Sequence, residues 1–131
     1  MNDEPRGELA IRTVAMPADT NPSGDIFGGW LLAQMDLAAG TIGYQFSSGR
    51  VATVAVDGMT FHRPVYVGDV VCCYAEVVHV GRTSMGVKGE THVRRGRTGD
   101  RIKVTEGTFS MVALDADGRP RPVRRSADTP G

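Results

Sequence analysis

The sequence predicts an α+β domain, one long helix set against an antiparallel sheet. Three observations predict it. Only one stretch, Ile26 to Phe46, has apolar residues at helical spacing. One strand-like stretch precedes it and four follow. The strands after the helix are joined by short turns, which favours antiparallel pairing and an α+β rather than a βαβ arrangement. A chain of 131 residues with 40% hydrophobic and 23% charged residues is one globular domain on these priors.

Residues 1–7 read as a polar tail. Glu8 to Met16 alternates in part through Leu9 and Ile11, then Val14 and Met16, as a first strand. Pro17 to Gly24 is dense in Pro, Asn, Asp, Ser and Gly and reads as a loop. The helix follows, its stripe formed by Leu31, Met35, Ala38, Ile42 and Phe46, with Ser23 or Asp25 as its expected cap. Val51 to Val56 is a short apolar strand. Asp69 to Val80 and Thr83 to Arg95 flank Gly81-Arg82, a two-residue hairpin signal of the type II′ kind. In the second of these, Met85, Val87, Gly89, Thr91 and Val93 share one face, and Lys88, Glu90, His92 and Arg94 the other. Arg101 to Leu114 is a long last strand, and 119–131 reads as a mobile tail. One helix covers a face of such a sheet but not its edges. An uncovered edge is commonly paired with a second copy, so a dimer is expected.

Several functions are excluded or disfavoured. Lys and Arg number 15, as do Asp and Glu, and a formal net charge of zero does not suit nucleic acid. No apolar run approaches the roughly 18 residues of a membrane span, and the polar start does not resemble a secretory signal. Cys72 and Cys73 are adjacent, so on a strand they point to opposite faces and serve packing rather than a mutual disulfide or a nucleophile. The histidines, His62, His79 and His92, fall in strand-like segments and read as structural or exposed. No metal-ligand spacing is present, so a cytoplasmic location and no cofactor are expected.

The helix has an unusual composition. Gly28, Gly29, Gly40 and Gly43 would each cost about 1 kcal/mol relative to alanine in a helix interior. On a helical wheel Gly29, Asp36, Gly40 and Gly43 fall within about 60° of one another. Asp36 then lies on a glycine-lined strip where a backbone or ligand can come close. It is either a surface carboxylate or a base in a backbone-lined cleft. The Gly28-Gly29 pair is either a tight entry to the helix or a bare first turn whose N–H groups hold an oxyanion.

The stretch from Asn21 to Asp36, NPSGDIFGGWLLAQMD, resembles the signature of hotdog-fold acyl-CoA thioesterases, in particular the YciA type of bacterial acyl-CoA thioester hydrolases. The resemblance extends over LAIRTVAMPADTN at 9–21, GMTFHRPV at 58–65 and VGDVVCCY at 67–74, and covers roughly 8–123. It implies a hotdog fold, one long central helix wrapped by a five- to six-stranded antiparallel sheet. It implies two protomers joined sheet edge to sheet edge, often assembled further as a trimer of dimers. In such enzymes the active site lies between subunits. The catalytic carboxylate stands seven residues after the second glycine, here Asp36. The asparagine of an N-x-x-G motif, here Asn21, faces the partner's carboxylate. The backbone at Gly28 or Gly29 becomes the oxyanion donor, with Asp25 and Thr60 as further contacts. Many relatives carry histidine before the glycine pair; Phe27 stands there in this chain. Arg63 and the turn Gly81, Arg82, Thr83 and Ser84 are expected to hold coenzyme A, with Lys88, Arg94, Arg95 and Arg97 as weaker candidates. Trp30, Met35, Met59 and Phe61 are expected near the acyl chain.

The activity implied is hydrolysis of acyl-CoA. No Gly-x-Ser-x-Gly elbow is present for a serine triad. A hotdog dehydratase would need a histidine at the loop or helix positions. A non-catalytic acyl-CoA sensor would usually carry a DNA-binding extension. No histidine falls at those positions and no basic helix is read in this sequence, so these two stand as the alternatives to a hydrolase.

Overall fold

A computed structural model describes residues 4–96 and 98–123. Five strands and one long helix follow in the order β1 (Glu8–Val14), a 3-10 turn (Pro17–Asp19), α1 (Gly28–Ser47), β2 (Val51–Phe61), β3 (Val70–Val80), β4 (Ser84–Arg94) and β5 (Arg101–Ala113). All pair antiparallel in one sheet of order β1-β3-β4-β5-β2. The expected α+β arrangement is present.

The helix lies across the sheet and touches every strand. Its stripe of Leu31, Met35, Ala38, Ala39 and Ile42 is buried, and Phe46 is partly so. Opposite them the sheet buries Met85, Val87, Val93, Phe109 and Met111. Gly43 belongs to this contact, because a Cβ there would lie 3.1 Å from Met111 Sδ. The two cysteines do part to opposite faces: Cys73 meets Thr91 at 3.4 Å, and Cys72 pairs in register with His92. Burial pushes the Cys73 thiol up to about 11, so it stays a thiol and packs.

The other sheet face carries charge. Glu90 and His92 are only 2% and 1% exposed and bond to each other at 3.1 Å. Lys103 and Lys88 bridge Glu106 at 3.1 and 3.5 Å, and His62 bonds it at 2.8 Å. That bond, with the lysines beside it, lowers the Glu106 carboxyl to about 2.

Several boundaries differ from the sequence reading, each for a local reason. The helix starts at Gly28, not Ile26, and neither Ser23 nor Asp25 caps it; Phe27 holds the cap position without a side-chain bond. The β2 strand runs to Phe61, because Gly58 at φ +62° takes up a register shift between Asp57 and Thr60 and pairing resumes beyond it. The hairpin after β3 is not a type II′ turn. Gly81 is not at positive φ, and its N–H bonds Ser84 O at 2.7 Å across a longer loop. Carbonyls of that loop are occupied: Arg82 O accepts from Val123 N–H and Thr83 O from Ala113 N–H.

The tails are shorter than expected. At the start, Gly7 turns at φ +94° and Arg6 pairs with Glu76 at 3.1 Å. At the end, Arg121 donates to Leu114 O and to Ser47 Oγ, and Val123 is fully buried. A valine that completes the core and an arginine that ties the end of the helix to the end of the last strand override a polar composition. The expectation for 124–131 lies outside the described residues.

Candidate active site

The β2 strand is one edge of the sheet, and none of its residues is buried. Val54 is 61% exposed, and Leu37 and Tyr44 on the neighbouring helix face are 60% and 58% exposed. An open groove of about 850 Å³ runs between α1 and the start of β2. Asp36, Gly40, Thr41, Tyr44, Val51 and Thr53 are among its walls. Asp36 is half-buried at one end, and Thr53 Oγ1 donates to its Oδ1 at 2.6 Å. This short, charge-assisted bond fixes the carboxylate and leaves Oδ2 for other work.

Asn21 is half-buried in the loop before the helix, and its role there is defined by its own bonds. Its Oδ1 accepts from Ser23 N–H at 2.9 Å and Asp25 N–H at 3.1 Å. Its backbone N–H donates to Asp25 O, and its carbonyl accepts from Gly24 N–H, with Gly24 at φ +89°. The N-x-x-G spacing is thus that of a closed Asx turn. Two N–H donors on Oδ1 settle which side of the amide is which, so the outward group is the Nδ2 donor. Asp25 is exposed and serves this turn through its backbone.

Gly28 and Gly29 open the helix. The N–H groups of Gly28, Gly29 and Trp30 precede the first intrahelical acceptor distance, and no side chain caps them. A Cβ at Gly29 would meet nothing within 4 Å, so that turn is bare on its outer side; one at Gly28 would touch the Phe61 ring at 3.5 Å. A recess of about 310 Å³ beside Gly28 is lined by Phe61, His62, Arg63 and Pro64. His62 and Arg63 also line a second recess of about 620 Å³, with Arg101, Lys103 and Glu106.

The structure separates several predicted residues. Asp36 meets Thr53; Asn21 lies in the loop that leads into the helix opened by Gly28 and Gly29. Eight residue steps of helix, roughly 12 Å along its axis, separate Gly28 from Asp36. Thr60 is exposed on β2, its carbonyl accepting from Thr105 Oγ1 at 2.6 Å. Arg63 adjoins the helix start, whereas Gly81, Arg82, Thr83 and Ser84 form the turn at the far end of β3 and β4. Trp30 and Met59 pack partly buried against the core, and Met35 is inside it. Arg95 is occupied: it pairs with Asp69 at 3.4 Å and stacks over Tyr66. Arg97 lies outside the described residues.

Two neighbours of the site were not foreseen. Thr53 sits in a run that reads as apolar strand, and its only sequence signal is a hydroxyl amid Val51, Ala52, Val54 and Ala55. His62 lines the recess beside Gly28, with Nε2 engaged by Glu106. Among the described residues no group of three His, Cys, Asp or Glu side chains could hold a metal ion, and no helix is long and apolar enough to cross a membrane.

Residues 23–104 match the family model of the thioesterase superfamily. The chain belongs to that superfamily. It is 53% identical over 126 residues to the acyl-CoA thioester hydrolase YciA of Salmonella typhimurium, spanning 94% of this chain and 95% of the relative. Among solved structures it is similar to the hexameric thioesterase y2039 of Yersinia pestis, at TM-score 0.89 and 50% identity, over 94% of this chain and all of that one (100%). It is also similar to HI0827, a hexameric broad-specificity acyl-coenzyme A thioesterase solved as an aspartate-to-alanine mutant, at TM-score 0.90 and 44% identity, over 95% and 91%. The fold is the hotdog fold that the resemblance implied, with five strands around the helix.

Proposed function

We propose that this protein hydrolyses acyl-CoA thioesters to a carboxylic acid and free coenzyme A, in a site shared between two protomers. The observation that carries the reading is Asp36, a carboxylate fixed by Thr53 at the end of an open groove on the helix. Its relatives' names and the motif from Asn21 to Asp36 support the same chemistry.

Asp36 takes a proton from water as the water adds to the thioester carbonyl, or attacks that carbonyl itself to form a mixed anhydride that water then opens. The carbonyl oxygen becomes an oxyanion, held by the N–H of Gly28 or Gly29 at the positive end of the helix. The Nδ2 of Asn21, a donor, suits the carbonyl or the water. The C–S bond then breaks and the thiolate leaves, taking up a proton to become the coenzyme A thiol.

One thioester cannot touch both Gly28 and Asp36 of the same helix across roughly 12 Å. Antiparallel pairing of two β2 edges brings opposite ends of two protomers together, so Asp36 of one works with Asn21 and the glycines of the other. The same pairing joins Arg63 of one subunit with the Gly81–Ser84 turn of the other around coenzyme A. Among the described residues Arg63 and Arg101 meet no carboxylate in their recess, where Glu106 is met by His62, Lys88 and Lys103, so positive charge is left over for phosphates. Asp25 and Thr60 shape the loop and strand around this junction. The assembly is a trimer of such dimers, with coenzyme A as substrate rather than cofactor, working in the cytoplasm.

The test is thiol release from acetyl-CoA through long-chain acyl-CoA. Turnover is expected, and Asp36→Ala loses most of it while still binding coenzyme A. Mixing Asn21→Ala with Asp36→Ala protein should restore part of it through mixed dimers. No turnover on any substrate overturns the hydrolase reading, and no recovery in verified mixed dimers overturns the shared site.

A further inference from the structure

We infer that Gly40 determines which acyl groups the site accepts, by leaving the groove beyond Asp36 open to an extended chain. This rests on the thioester hydrolysis proposed above. Glycine is disfavoured within a helix, so its presence calls for a reason. Gly43 has one, the close contact with Met111, and Met85 Cε lies 3.6 Å from the same point. Gly40 has none inside the protomer. A Cβ at Gly40 would meet nothing within 4 Å, and its backbone is not at positive φ. Among the described residues nothing in the packing or the backbone requires a glycine there.

What Gly40 does face is the groove. It lies one turn past Asp36, about 6 Å along the axis, on the groove's floor. Leu37 and Tyr44 rise on the outer side, and Val51 flanks the β2 side. A chain whose carbonyl sits at Asp36 passes directly over Gly40 between these apolar side chains. The far end is polar, with Gln45 roughly 14 Å from Asp36 along the helix and Arg50 beyond the helix end. An alkyl chain long enough to arrive there would strip water from a guanidinium, so the groove favours short and medium chains. A larger side chain at position 40 would close it one turn beyond the reacting carbon.

The test compares kcat/KM on acetyl-, hexanoyl- and dodecanoyl-CoA for the full-length assembled protein, Gly40→Ala and Gly40→Leu, with assembled mass measured by light scattering. The expected result is a dodecanoyl-to-acetyl ratio lowered about tenfold or more in Gly40→Leu, with assembled mass unchanged. Gly40→Ala keeps the inference testable if the leucine variant folds poorly: it should melt higher than the wild type and shift the ratio in the same direction. An unchanged ratio overturns the inference. So does loss of assembly, which would mean that a partner's backbone covers the glycine. If the wild type turns over none of the three, the hydrolase reading fails first and the inference falls with it.

Discussion

Replacing Thr53 with valine removes one hydroxyl and nearly preserves volume. The lost bond is the 2.6 Å contact to Asp36 Oδ1. A hydrogen bond to a charged group is worth about 1.5–3 kcal/mol. Thr53 is exposed and Asp36 half-buried, so water partly replaces the bond, and the lower end of that range applies. About 1.4 kcal/mol is a factor of ten in rate if the alignment matters in the transition state. Thr53→Val should therefore lower kcat on acetyl-CoA about tenfold and leave KM nearly unchanged, since valine keeps the shape of the groove wall and only the bond that positions the carboxylate is lost. Thr53→Ser should restore most of kcat because it returns the hydroxyl. Continuous thiol-release kinetics read both constants. A valine variant with wild-type kcat, or a serine variant as slow as valine, would refute the argument that Thr53 orients Asp36.

Gly28→Pro removes one first-turn N–H while suiting the first helical position, and Phe27 already has the extended backbone (φ −59°, ψ 136°) that precedes proline readily. If the Gly28 N–H holds the oxyanion, kcat falls about a hundredfold with melting temperature little changed; full activity assigns the role to Gly29 instead. Glu106 yields a stability prediction in acid. Its carboxyl, at about 2 rather than the ordinary 4.5, favours the folded state above pH 4.5, and that contribution is lost as pH falls from there toward 2. Melting temperature should thus fall more steeply over that window in the wild type than in Glu106→Gln; parallel curves would show that the His62 and lysine contacts contribute nothing.

Much of the fold was legible because local chemistry and global packing agree. The Leu31, Met35, Ala38 and Ile42 stripe is the buried face of the helix, and the inward set of β4 is the one its alternation assigns. The misses lie where distant contacts decide. Val123 is buried by the β3–β4 loop it bonds, which no feature of the Arg- and Pro-rich end reveals. Glu90 and His92 read as an outward polar face, yet they are buried by each other and by their cross-strand neighbours. In the site, helical spacing alone set Asp36 on the glycine strip. Thr53 reached it only through a contact across 17 residues of sequence. The side of the Asn21 amide that faces outward depended on which N–H groups the loop supplies, which spacing does not encode.

The unburied β2 edge has a consequence for how the enzyme comes into being. The backbone groups on its outer side and the side chains of Val54, Leu37 and Tyr44 have no cover among the described residues. On the proposed pairing, a newly folded protomer is an inert intermediate whose last maturation step is an encounter between two molecules. The rate at which activity emerges then scales with the square of protomer concentration, and the same edge is the surface through which crowded, unpaired chains aggregate.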